Sequence, residues 1–271
     1  MSVVNYAKHS ATRAVTLLLE SSNERPHMND WFNELAADCE LPPEAARELH
    51  STGFVVVPGP VAQSGPSEFA AAYDSAVLGA DPEGVKTGSS TTRVNDFVNR
   101  GPVFDPIYIY PPVLAACCSV IAQPFKLSSL HARTLRPRSA PQPLHVDFER
   151  QPDGWPMVGF IVMVDDFRRD NGATRFIPGS QLWPENPAVL MEDPTADYPG
   201  QVSACGPGGS VIIYNGSVWH GHSANRTDQP RRSIQGAYIR RDAQSGLDHA
   251  ARIRPETLSR IGGLAKYLLD L

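Results

Sequence analysis

The stretch Val158-Gly159-Phe160-Ile161-Val162-Met163-Val164 carries no polar side chain, so both of its alternating faces have to be covered. A strand in the middle of a two-sheet sandwich meets that condition, whereas a strand with one solvated face alternates apolar and polar residues. Working outward from it, the pattern changes near Phe125 from a helical period to a period of two. It predicts strands near 125–136, 143–149, 157–165, 173–177, 209–215 and 233–241. Asp170-Asn171-Gly172 and Pro178-Gly179-Ser180 read as turns between them, and a Pro-rich insertion occupies 184–199. The core is therefore expected to be β.

Upstream of that core the chain reads helical. Segments 29–39 and 42–50 repeat apolar residues every three or four positions, with Gly53 as the C-terminal glycine of the second. Residues 54–57 predict a buried strand ended by Pro58-Gly59. Ser67 is the expected N-cap of a helix over 68–78, and Pro111-Pro112 open another reaching about 122. A closing helix is expected over 255–269. No internal repeat or low-complexity linker divides the 271 residues, which predicts a single domain over 1–271: a helical layer over about 1–122, a β core over about 123–241 and the closing helix.

Composition narrows the function classes. The 24 Lys+Arg against 29 Asp+Glu give a formal charge of −5, which leaves no positive excess to neutralise a phosphate backbone, so nucleic acid is not the expected partner. The 25 Pro and 21 Gly favour many short elements over a helical bundle. Cys39, Cys117, Cys118 and Cys205 form no CxxC pair, and the adjacent two lie in an apolar run, which reads as buried free thiols in a reducing, cytoplasmic setting. The apolar run over 14–19 is too short to span a membrane. The first nineteen residues lack acids and carry Lys8 and Arg13, a faint likeness to a transit peptide that weighs less than the cytoplasmic reading.

His145-Val146-Asp147 sets an imidazole and a carboxylate two positions apart, hence on one face of a strand, where they can share a metal. Alone, this pair is better read as a surface His and Asp on a strand end. Further along come Trp219-His220-Gly221-His222 and, eleven residues after His220, Arg231 ahead of an alternating strand. Two His and one carboxylate on one face of an octahedral ion leave adjacent positions for a bidentate 2-oxo acid and dioxygen, and an Arg fork suits the far carboxylate of such a cosubstrate.

His145-Val-Asp147, Asn171-Gly-Ala-Thr-Arg-Phe-Ile-Pro-Gly-Ser180 and His220-Gly-His-Ser-Ala-Asn225-Arg-Thr-Asp-Gln-Pro-Arg231 together strongly resemble the phytanoyl-CoA dioxygenase family of Fe(II)- and 2-oxoglutarate-dependent oxygenases, over about residues 50–241. The resemblance implies a mainly β fold with flanking helices, the double-stranded β-helix or cupin-like jelly roll. It implies His145, Asp147 and His220 as the catalytic iron ligands, Arg231 as the clamp on the C5 carboxylate of 2-oxoglutarate, and Thr174 near that cosubstrate end. Arg133 and Gln142 are the expected holders of its other end, Arg133 being as readily a solvated strand charge. His222 departs from the family, which commonly has a small residue there. It reads as a donor behind the ligands, a substrate contact or, with a slipped register, the ligand itself, since Arg232 follows it by ten residues.

The implied activity is a dioxygenase using Fe(II), 2-oxoglutarate and O2 to oxidise an unactivated C–H of a small molecule, most simply by hydroxylation, with succinate and CO2 released. Desaturation, epimerisation, cyclisation or peroxide formation use the same cofactors. Because Asp147 keeps its carboxylate, halogenation is not expected. A zinc hydrolase would leave Arg231 without a partner, a non-catalytic jelly roll that binds a ligand would need no metal ligands, and no His adjoins Cys117 or Cys118 to activate a thiol nucleophile. Residues 91–101, with Arg93, Asn95, Asp96 and Phe97, read as a solvent loop or as a lid over the substrate. Trp155, Trp183 and Trp219 read as core or as cavity mouth. The expected substrate is a natural-product intermediate, with an amino acid or other small metabolite next. The net negative charge speaks against a strongly anionic one, the protein is expected as monomer or homodimer, and no membrane is implied.

Overall fold

The computed structural model describes residues 28–60 and 65–271; the transit-like features over 1–19 lie outside them. Among the described residues ten strands form two antiparallel sheets. The large sheet has the order β1 (Phe54–Pro58), β8 (Ser210–Asn215), β5 (Met157–Met163), β10 (Arg231–Arg240), β4 (Phe125–Leu135), β3 (Thr91–Val94), β2 (Val85–Thr87), and the small sheet runs β7 (Val202–Ala204), β6 (Thr174–Phe176), β9 (His220–His222). This is the jelly roll expected of the sequence.

β5 lies between β8 and β10, which accounts for its composition. Val158, Phe160 and Val162 pack on one side against the helical layer, in a core that includes Leu114, Cys117 and Leu268. Ile161 and Met163 pack on the other side with Phe54 and Ile212 against Phe176 and Ala204 of the small sheet. Phe54 stacks on Phe176 across the gap at 4.2 Å between centroids, joining the sheets directly.

Several elements correct the sequence reading. Residues 143–149 form no strand; only His145 bridges to His220, because Pro141 and Pro143 lack the N–H groups a ladder needs. β2, β3, β7 and β9 are strands the alternation did not reveal, each three or four residues long, and β2 and β3 make the N-terminal third more than helical. β3 removes 91–94 from any lid. Phe97, beyond it, is wholly buried against Phe104 and Tyr73.

The helices are α1 (Met28–Asp38), α2 (Pro43–Thr52), α3 (Pro66–Leu78), α4 (Pro111–Val120), α5 (Pro255–Arg260) and α6 (Gly263–Leu268), with shorter turns between. Gly53 ends α2 at φ 86°, as read. α3 starts at Pro66 with Gly65 as its cap rather than Ser67, proline being preset for the first helical position. The single closing helix is two, parted at Ile261 and Gly262, where consecutive glycines favour a break. The stretch Pro102–Val120 has the length and hydropathy of a membrane span. Here it is broken into short helical segments, and Val113, Leu114, Ala116 and Cys117 sit in the core.

Candidate active site

A cavity of about 350 Å³ opens between the sheets, with Asp147 the only acidic residue lining it among the described residues. At one side His145, Asp147 and His220 bring one ligand atom each within 4.8 Å of the others. His145 Nε2 lies 3.6 Å from Asp147 Oδ1 and His220 Nε2 3.6 Å from Oδ2. The convergence is built from backbone. His145 and His220 exchange N–H···O bonds of 3.0 and 2.9 Å across their bridge, and the N–H of Asp147 donates to the carbonyl of Gly216 at 2.9 Å, turning the carboxylate back towards both rings. A tight turn therefore does what a strand was expected to do.

The rings are held in the orientation a metal needs. His145 Nδ1 is 3.0 Å from the carbonyl of Pro143 and His220 Nδ1 3.0 Å from that of Val218. Each Nδ1–H is thereby committed, and both Nε2 lone pairs face the carboxylate. Burial pushes His220 down to about 4, so it is neutral, as a ligand must be. For Asp147 burial works to raise the carboxyl, but His220, His145 and the hydroxyl of Tyr214 together hold it well below the usual carboxylate range. Tyr214, which the sequence reading missed, donates to Asp147 Oδ2 at 2.7 Å and packs on His220 at 4.8 Å. A tyrosine ending a buried apolar strand, with a hydroxyl to satisfy, was its signal.

Arg231 borders the same cavity and is 1 % exposed. Its Cζ lies 4.1 Å from the centre of the Phe167 ring, while Nε and Nη1 meet no hydrogen-bond partner. Burial, with Arg133 nearby, lowers the guanidinium to about 9. A buried cation with two unmet donors is the chemistry that fits a carboxylate brought by a ligand. Thr174 and His222 face each other across β6 and β9 and both border the cavity. Arg133 donates to Gln235 Oε1 and Gln142 Oε1, each at 3.3 Å, so it is a held cavity group rather than a solvated charge.

His222 Nδ1 is turned to the carbonyl of Ser223 at 3.0 Å and Nε2 to Ser90 Oγ at 3.3 Å. It stands outside the His145–Asp147–His220 cluster. Gly221 parts the two histidines where a Cβ would come within 3.1 Å of the carbonyls of Pro143 and Gln142. None of Trp155, Trp183 and Trp219 borders the cavity; Trp219 is fully buried against Leu144 and Ile177, and Trp155 packs on the helical side. Cys117 is buried, with its thiol pushed well up by that burial.

A family model described as phytanoyl-CoA dioxygenase (PhyH) matches residues 49–233. The multifunctional dioxygenase prhA of Penicillium brasilianum is 30% identical over 211 residues, 70% of this chain and 69% of that protein. Alignments with other fungal dioxygenases span from 24% of the relative's length in one case to 71% in another. HygX from Streptomyces hygroscopicus, solved with nickel and 2-oxoglutarate, superposes with a TM-score of 0.60 at 18% identity over 76% of this chain and 89% of that one. The carbocyclase SnoK from nogalamycin biosynthesis gives 0.63 at 20% identity over 79% and 92%.

Proposed function

The chain belongs to the phytanoyl-CoA dioxygenase family, and on that premise we propose that it is an Fe(II)- and 2-oxoglutarate-dependent dioxygenase that hydroxylates an unactivated C–H of a small natural-product intermediate. The observation that carries this reading is the pairing of a buried, unpartnered Arg231 guanidinium with a cluster of two His and one carboxylate in one cavity. A zinc hydrolase has no use for that guanidinium.

His145, Asp147 and His220 would hold the iron, a facial set of two imidazoles and a carboxylate. When bound, Fe(II) and 2-oxoglutarate supply the activation of O2 and the oxidising power, with succinate and CO2 as co-products. Asp147, ionised, offsets part of the metal's charge. Tyr214 fixes which carboxylate oxygen faces which ring. Arg231 would take the distal carboxylate of 2-oxoglutarate through its two free donors, with the Thr174 hydroxyl beside it. Gln142, held by Arg133, would meet the cosubstrate's other end. The walls made by Met157, Ile161 and Ile239 keep the reacting carbon out of bulk water.

The described chain is read as one catalytic domain, working in the cytoplasm as monomer or homodimer. The test is 2-oxoglutarate consumption with succinate release by iron-loaded protein, expected to vanish in His145→Ala and Asp147→Ala; wild type without such turnover overturns the reading. Metal content separates the two neighbouring histidines: His220→Ala is expected to lose iron and His222→Ala to keep it.

A further inference from the structure

The cavity wall carries more positive charge than the reading above uses. Arg231 has the distal carboxylate to meet and Arg133 has Gln142, Gln235 and the cosubstrate's other end. Arg93 remains. It stands on β3 directly opposite Arg133 on β4 and borders the cavity while remaining exposed to solvent. No hydrogen bond or ion pair joins its guanidinium to another described residue. Asp147, the one acid along the cavity, is already engaged by His145, His220 and Tyr214. Two guanidiniums on paired positions repel each other: burial and then Arg93 are what lower Arg133. A molecule that tolerates this pair gains when something negative lies between them.

A second observation stands beside the first. His131 lies two positions before Arg133 on β4, hence on the same face, and is 8 % exposed. Its Nε2 meets no hydrogen-bond partner and the ring borders the same space. Burial, Arg93 and Arg133 bring it down to about 3, so it offers a neutral ring nitrogen and adds no charge. A buried ring nitrogen left unmet by protein is satisfied if a ligand reaches it. Beyond His131, the register shift between Ala237 and Tyr238 on β10 leaves both Ser128 and Ser129 along the cavity, which extends the polar stripe.

We propose that the substrate carries an anionic group, a carboxylate or a phosphate, which docks on Arg93 beside Arg133 and is reached by His131 Nε2, while its apolar body lies along Met157, Ile161 and Ile239. The proposal deepens the reading above, on which it rests for the place of the cosubstrate. The chain's overall charge of −5 does not oppose it, because exposed charges more than about 8 Å away are screened at physiological salt.

The test is calorimetric titration of Fe(II)-loaded protein under anaerobic conditions with 2-oxoglutarate present, using benzoate and phenyl phosphate against the neutral benzamide. At least one anion is expected to bind about tenfold or more tightly than benzamide, the preference collapsing in Arg93→Gln and returning in Arg93→Lys. The tighter anion identifies the group. Equal affinities, no binding of either anion, or a preference untouched by Arg93→Gln overturns the proposal. 2-Oxoglutarate is titrated separately into wild type and Arg93→Gln. Failure to bind in wild type defeats the cosubstrate reading, while the anion titration on the Fe(II) protein still decides the present one. A loss of about tenfold or more only in the variant would assign Arg93 to the cosubstrate and also overturn the proposal.

Discussion

The hydroxyl of Tyr214 donates to Asp147 Oδ2 at 2.7 Å, so the carboxylate reaches the two imidazoles already oriented by a residue of β8, inside the large sheet. Removing that hydroxyl should cost metal affinity more than stability, because the ring still fills its place and the 28 % exposed Asp147 side chain can take water instead. Tyr214→Phe is expected to weaken Fe(II) binding by about 10–100-fold. Gly159→Ala should do more: a Cβ there would lie 2.1 Å from Tyr214 Cζ and drive the whole ring off the carboxylate. Iron titration of both variants checks the order, and an unchanged affinity in Tyr214→Phe would remove the orienting role.

Arg231 is expected to behave contrary to the usual rule for core residues. It is a buried cation whose Nε and Nη1 have no partner, so the Phe167 ring beneath it repays only part of its desolvation. Arg231→Met keeps the stem over Phe167 and drops the charge. Its melting temperature should equal or exceed that of wild type, while its affinity for 2-oxoglutarate falls by about 100-fold or more. Saturating 2-oxoglutarate should raise the melting temperature of iron-loaded wild type and leave that of the variant unmoved. A variant that melts well below wild type would show that Arg231 is held by the fold for structural reasons.

Arg175 is the contrasting case, a buried arginine with every reason to stay. From β6 it donates to the carbonyls of Ala196 at 2.8 Å, Gln142 at 3.0 Å, Thr195 at 3.0 Å and Pro194 at 3.2 Å. One guanidinium thus ties the insertion over 184–199 to the segment that carries His145. Arg175→Met leaves several carbonyls unmet, at about 1 kcal/mol or more each, so a loss of about 3 kcal/mol is expected in denaturant unfolding. Iron affinity should fall with it, because Gln142 and Pro143 lose their anchor. Stability lost with iron affinity intact would separate the insertion from the site.

The sequence showed which residues gather better than the path that gathers them. β5 was legible because a strand buried on both faces leaves an apolar run, and His145, Asp147, His220 and Arg231 were legible as a spaced set of residue types. What alternation could not show were β2, β3, β7 and β9, since three or four residues hold too little of a period to register. The convergence of His145 with Asp147 was read from strand geometry and is achieved by a turn, two prolines having stopped the ladder. Arg93 was legible only as part of a polar run; pairing across strands is what sets it opposite Arg133. The same limit hid Tyr214 and Arg175, whose partners lie 67 and about 20–33 residues away in sequence.

The cavity histidines give the metal-free protein a pH dependence of predictable sign. Burial lowers His131 to about 3, and His220 and His222 to about 4, against an ordinary value near 6.5 in the unfolded chain. Below pH 6.5 the unfolded state therefore takes up protons that the folded state refuses, so stability falls as pH falls from about 6.5 towards 4 and is flat above 7. Asp147 is ionised in both states over that window; its depressed carboxyl adds a further loss only below about 4. At pH 5.5 each histidine contributes on the order of 1 kcal/mol of destabilisation, about 4 kcal/mol for the three. For a chain of this length that is a drop of about 7 °C in melting temperature between pH 7.5 and 5.5. His222→Gln, which keeps a polar side chain without the titration, should recover about 2 °C of it. Bound iron should steepen the profile, because it keeps its ligand imidazoles deprotonated in the folded state while the unfolded chain still takes up protons. A metal-free wild type whose melting temperature does not move between those two pH values would mean that these rings are not buried in neutral form.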